Sequence, residues 1–149
     1  MPRFFSTLAL IAWALWLGGL VALFIFVQRL FAPESRSIAL EAAPRMFLVF
    51  EKYQLILAGI SLLATFGWRL RHPSRRLGAL FLLLALTTCG AATSAGLITP
   101  RLEALRLADQ THTPQFRRLH GESMMVFSSE VLLLLIAGLV LPAALHRDR

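Results

Sequence analysis

Between Phe4 and Gln28 the chain carries no charged side chain, and at about 1.5 Å of rise per residue such a run outreaches the roughly 30 Å hydrocarbon core of a bilayer. A cleavable leader is the rival reading, since Arg3 precedes the run. The apolar stretch is too long for one, and Pro33 follows Ala32 where a small-residue cleavage site is wanted. A permanent span over about residues 4–28 is therefore expected. Three similar runs follow. The second covers about 46–68, opened by Pro44 as a first-turn proline and closed by the Arg69–Arg76 cluster. The third covers about 77–99 and the fourth about 123–145, with His146 to Arg149 as a polar tail. The pattern predicts an all-α, integral membrane four-helix antiparallel bundle, a single transmembrane domain over residues 1–149 with no soluble domain.

Composition agrees. With 149 residues, 57% hydrophobic, 15% charged and a mean hydropathy of +0.68, the chain has more apolar surface than one soluble core of this size can hide. The net charge of +7 does not point to nucleic acid, because the basic residues sit between apolar runs, where a membrane flank explains them. Every basic residue but Lys52 is arginine, as a GC-rich bacterial genome would give, so a bacterial inner (cytoplasmic) membrane is the expected location. The link Arg69–Arg76 holds four arginines and no acid, whereas the links 29–45 and 101–122 mix arginine with Glu34, Glu41, Glu103, Asp109 and Glu122. That asymmetry places both termini and the Arg69–Arg76 turn in the cytoplasm. In the second outer link, Leu102, Leu105 and Ala108 recur at helical spacing past Pro100, and Thr113-Pro114 reads as an N-cap and first-turn proline launching a helix into the fourth span.

The informative residues are those that lipid should have excluded. On the second span Glu51, Gln54, Ala58, Ser61 and Thr65 share one helical stripe. On the fourth, His120, Ser123, Phe127 and Glu130 follow the same spacing with Met124 alongside, and that face should point into the bundle. The third span holds a small-residue segment from Thr87 to Gly96, and the first offers Ala14, Gly18 and Ala22 for close helix packing. The expected seam is dry at the cytoplasmic end and polar toward the outside. An ionised carboxylate at the bilayer centre costs about 2.5 to 3.5 kcal/mol, so Glu51 and Glu130 should be protonated, paired or hydrated. Lys52, His120, Gln28 and Arg101 are the candidate partners. The site reading is an outward-open polar cluster of Glu51, Gln54, His120, Ser123 and Glu130; the competing reading is a closed network fixing helix register, with Lys52 snorkelling to the surface.

No metal or cofactor is predicted. His120 and Met124 form an i, i+4 pair of the kind a soft ion such as copper takes. A bis-histidine haem lacks support because His72, His112 and His146 lie in links or the tail. Cys89 stands alone, and no nucleophile triad, phosphate loop or zincin motif is present, so an enzyme is not expected. Trp68 beside Arg69 reads as an interfacial anchor, and Trp13 and Trp16 as helix-packing residues.

Three segments carry a family resemblance: Trp16-Leu17-Gly18-Gly19, the exit Ile98-Thr99-Pro100-Arg101-Leu102-Glu103-Ala104-Leu105-Arg106, and Phe116 with His120 and Ser123. Together they resemble the transmembrane protein 205-like family over most of the chain. The resemblance implies a small four-span membrane protein without an established biochemical activity, with His120 and Ser123 as candidate functional residues. That family's pattern continues to an asparagine one turn later, where this chain has Phe127, and Glu130 one turn further is the expected replacement partner. The function expected is non-enzymatic: handling of a proton, metal ion or small solute. The alternative is an accessory or assembly subunit, working as a homo-oligomer or against another membrane protein. A haem- or copper-binding membrane protein is the third reading.

Overall fold

A computed structural model of the chain describes residues 2–32 and 36–145. The helices are α1 (Pro2–Leu30), α2 (Arg36–Arg71), α3 (Arg75–Thr93), a π turn (Ser94–Ile98), α4 (Thr99–Leu107) and α5 (Pro114–Leu145). Four stretches are long and apolar enough to cross a membrane: Phe4–Leu30, Ala42–Arg71, Arg75–Leu107 and Pro114–Leu145. The protein is thus an all-α, multi-pass membrane four-helix bundle. Each span packs on its neighbours in sequence, and α5 returns to pack on α1. The polar tail from His146 lies outside the described residues.

What fixes the bundle is a seven-residue repeat of buried positions. On α2 these are Glu51, Gln54, Ala58, Ser61, Thr65 and Trp68; on α3 and the π turn, Leu77, Leu80, Leu84, Thr87, Ala91, Ser94 and Ile98; on α5, Ser123, Glu130, Leu134, Ala137, Leu141 and Ala144. Alternating steps of three and four average 3.5 residues, the period that keeps one narrow seam facing its partners in left-handed helix packing. Large apolar side chains off the seam, such as Leu63 at 73% and Leu139 at 79% exposure, are left for lipid. The hydroxyl of Ser74 accepts from the Leu77 N–H (3.2 Å) to start α3, and that of Thr113 accepts from the Phe116 N–H (3.2 Å) to start α5. Arg76 donates to the Ala143 carbonyl (2.6 Å), tying the start of α3 to the last turn of α5.

The structure corrects several sequence expectations. Pro44 does not open α2 but lies inside it, in the third turn, where it costs the helix one backbone bond. The helix of the third span continues past Thr99, as the spacing of Leu102, Leu105 and Ala108 predicts. The helix passes through the π turn, where Thr99 N–H reaches back to the Ser94 carbonyl, and continues past Pro100 to Leu107. A widened turn just before a proline accommodates the missing donor and the bulk of its ring. Trp68 is fully buried rather than interfacial, since it occupies a seam position of α2. The seam is not dry toward the Arg69–Arg76 turn, for Ser61 and Thr65 are fully buried there.

Ala14 and Gly18 face outward, not into the bundle, and a Cβ added at Gly18 would meet nothing within 4 Å. The close approach of α1 to α2 falls instead at Gly19, where a Cβ would lie 2.8 Å from Tyr53 Cε1, while the Tyr53 hydroxyl donates to the Leu15 carbonyl (3.0 Å). Gly19→Ala is therefore expected to lower stability by about 1 kcal/mol and Gly18→Ala to leave it unchanged, as read by detergent unfolding midpoints. Equal effects of the two would refute the assignment.

Candidate functional site

Glu51 and Glu130 project into the bundle from α2 and α5 at 3% and 1% exposure. Their heights follow from helix rise. Glu51 lies about 30 Å along α2 from Arg71, and Glu130 about 22 Å along α5 from Leu145, so Glu130 is the deeper by roughly a turn and a half. Both belong to the same buried seam of the bundle.

The two carboxylates are held differently. Glu51 Oε1 accepts hydrogen bonds from Ser94 Oγ (3.3 Å) and Thr99 Oγ1, so the π turn wraps its two flanking hydroxyls around one carboxylate oxygen. π turns are frequent at functional sites because the extra residue re-aims side chains. Glu130 has no such support: both its oxygens are buried without a hydrogen-bond partner among the described residues. Its side chain lies against the backbone of Gly90, where an added Cβ would sit 3.3 Å from both Cγ and Oε1. Gly90 therefore makes the space that Glu130 fills.

Aromatic rings flank the two carboxylates. Phe127 of α5 packs on Phe47 (6.1 Å) and Phe50 (6.5 Å) of α2, each ring within about a turn of one of the acids. Phe127 is thus held among apolar rings of α2, and Glu130, expected as a partner of His120, makes no hydrogen bond to it among the described residues. On the side facing lipid, a groove of about 370 Å³ opens between α3 and α5, with Glu130, Gly90, Leu86, Met125, Ser129 and Leu133 among its walls.

Of the other sequence-derived residues, Gln54 and Ser123 lie in the seam with the acids, at 0% and 8% exposure. Among the described residues both polar atoms of the Gln54 amide lack a hydrogen-bond partner, as do Trp16 Nε1, Ser61 Oγ and Thr65 Oγ1. His120 does not join them. It is exposed and stacks on Phe116 (6.2 Å, 6° between planes), because it lies only two turns into α5, on the part of the helix above the seam. Met124 is 44% exposed beside it, and among the described residues no three His, Cys, Asp or Glu side chains gather as a metal site would require. Gln28, Lys52 and Arg101 are exposed and make no bond to either carboxylate among the described residues; each lies off the seam of its own helix. The hydroxyl partners Ser94 and Thr99 were not anticipated as ligands of Glu51. The sequence signal for them is Gly96 and Pro100 interrupting an otherwise regular apolar helix.

The family described as a domain of unknown function (DUF4149) matches residues 11–111. That stretch includes Glu51, Gly90 and the π turn but not α5, so Glu130 lies outside it. No curated protein and no solved structure matches the chain.

Proposed function

We propose that this chain, which belongs to the DUF4149 family, is a non-enzymatic bacterial inner-membrane protein whose Glu51–Glu130 pair takes up and releases a cation, in the simplest case a proton. The single observation that carries the reading is Glu130: a carboxylate with both oxygens buried and unpartnered at membrane depth. Hydrocarbon does not hold such a group ionised without a counter-charge. Intramembrane acids of this kind mark proton and ion sites more often than structural ones. Glu51, supported by Ser94 and Thr99, is the fixed member of the pair, and Glu130 the member free to exchange. Both termini lie in the cytoplasm on the arginine asymmetry of the links, which puts the pair in the outer half. The kinship with transmembrane protein 205-like proteins rests on the motifs quoted above and is part of the same proposal.

The test is infrared difference spectroscopy of the protein in lipid nanodiscs during a pH titration. A carbonyl band of a protonated carboxylic acid that titrates, and that is lost in Glu130→Gln but kept in Glu122→Gln, is the expected result. A titrating band unchanged in Glu130→Gln removes the proposal.

A second reading, an accessory subunit or homo-oligomer, is favoured by the outward position of Ala14 and Gly18 on α1, a surface that would let another helix approach closely. The third, haem or copper binding, draws little support from the exposed His120 and Met124.

A further inference from the structure

We propose that the groove between α3 and α5 is a binding site for small lipophilic amines, whose ammonium pairs with Glu130 and whose apolar body lies along Leu86, Met125 and Leu133, entering sideways from the bilayer. The inference deepens the cation-site reading and rests on it.

Four observations converge on that ligand class. The groove, at about 370 Å³, is at the lower end of the range for small-molecule pockets and too small for a two-chain lipid. Its walls are mostly apolar, with Glu130, Ser129 and Glu122 supplying the polar atoms. A calcium or magnesium ion wants six or more oxygens, which these walls do not offer, whereas a primary ammonium needs one carboxylate and a few acceptors. Glu122 is already engaged by Arg118 (2.9 Å), so among the described residues the acid left without a partner in the groove wall is Glu130. Buried and unpartnered, it is a proton donor for a neutral amine and, once ionised, the complement of the resulting ammonium.

The route follows from the groove. Phe47, Phe50 and Phe127 pack on one another beside the acids, while the groove is open on its side, flanked by Leu86 at 50% and Met125 at 64% exposure. These side chains face lipid. An amine dissolved in the bilayer enters the groove from its side, and the Glu130 carboxyl, whose oxygens are covered, turns toward it on pairing. Partition into lipid as the neutral base, then protonation by the acid of the pair, balances the step: the amine nitrogen gains the proton that the carboxylic acid gives up, and an ammonium–carboxylate pair results.

The experiment uses the full chain in phosphatidylcholine nanodiscs and a phenylbutylamine carrying a diazirine. Photolabelled residues are mapped by mass spectrometry, with unlabelled phenylbutylamine and phenylbutanol as competitors. Expected are adducts on Leu86, Met125 or Leu133 that the amine suppresses and the alcohol does not. Glu130→Gln should cut labelling about tenfold or more. Met125→Trp, which blocks the lipid-side mouth of the groove, should abolish labelling while keeping the titrating carboxyl band. Competition by the alcohol equal to that by the amine, labelling unchanged in Glu130→Gln, or a dimer sealed through Met125 would each overturn the inference. Absence of amine labelling with the carboxyl band intact sinks this inference alone; loss of the band's dependence on Glu130 sinks the cation site beneath it.

Discussion

Glu130→Leu is expected to make the protein harder to unfold, by about 2 kcal/mol or more, while erasing the titrating carboxyl band and amine labelling. A leucine of similar length replaces a carboxylate that pays for burial and gains no hydrogen bond, and the neighbouring groove gives its branch room to settle against Gly90. Glu51→Leu should go the other way. It strips the buried Ser94 hydroxyl of its acceptor and uncouples α2 from the π turn, a loss of about 1–3 kcal/mol. Detergent unfolding midpoints of the two variants in the same buffer decide the matter. If Glu130→Leu destabilises as Glu51→Leu does, Glu130 is a structural residue and the division of roles within the pair is wrong.

The second large effect belongs to Gly138. A Cβ there would lie 2.4 Å from Trp13 Cζ2 and 3.0 Å from Cη2. The indole is not free to yield, because its Nε1 donates to the Leu134 carbonyl (2.8 Å) one turn away on the same helix. Gly138→Ala should therefore cost about 3 kcal/mol by forcing α1 from α5. Trp13→Leu in the same chain removes the obstructing ring, so the double variant should be more stable than the sum of the single changes predicts. Additive losses would show that the strain lies elsewhere.

Much of this architecture is legible in the order of residues, and the reasons are physical. The spans declare themselves because a charge-free run as long as Phe4–Gln28 has no alternative in water. The α2 stripe of Glu51, Gln54, Ala58, Ser61 and Thr65 is read correctly as one face because a three-four repeat keeps those positions on the side of the helix that the bundle covers. The same logic misplaces His120. Spacing says which residues share a side of α5 but not how far along the helix its neighbours extend, and His120 stands where the seam has given out. It also misplaces the α1 contact: Ala14, Gly18 and Ala22 make the better small-residue pattern, yet the bulk of Trp16, buried at 0% exposure, turns the adjoining face inward and leaves Gly19 to meet Tyr53. The π turn leaves little trace at all, because one surplus backbone residue carries no side-chain signature beyond Gly96 and Pro100.

The unbroken seven-residue seam also governs which changes of length the chain tolerates. Adding or removing one residue within α2 or α5 rotates everything beyond it by about 100°. That turn would carry an acid from the interior onto hydrocarbon, whatever residue was inserted. Insertions and deletions are therefore expected to be tolerated in the connections between spans and not within α2 or α5, where the distances from Arg71 to Glu51 and from Glu130 to Leu145 set the place of the acids.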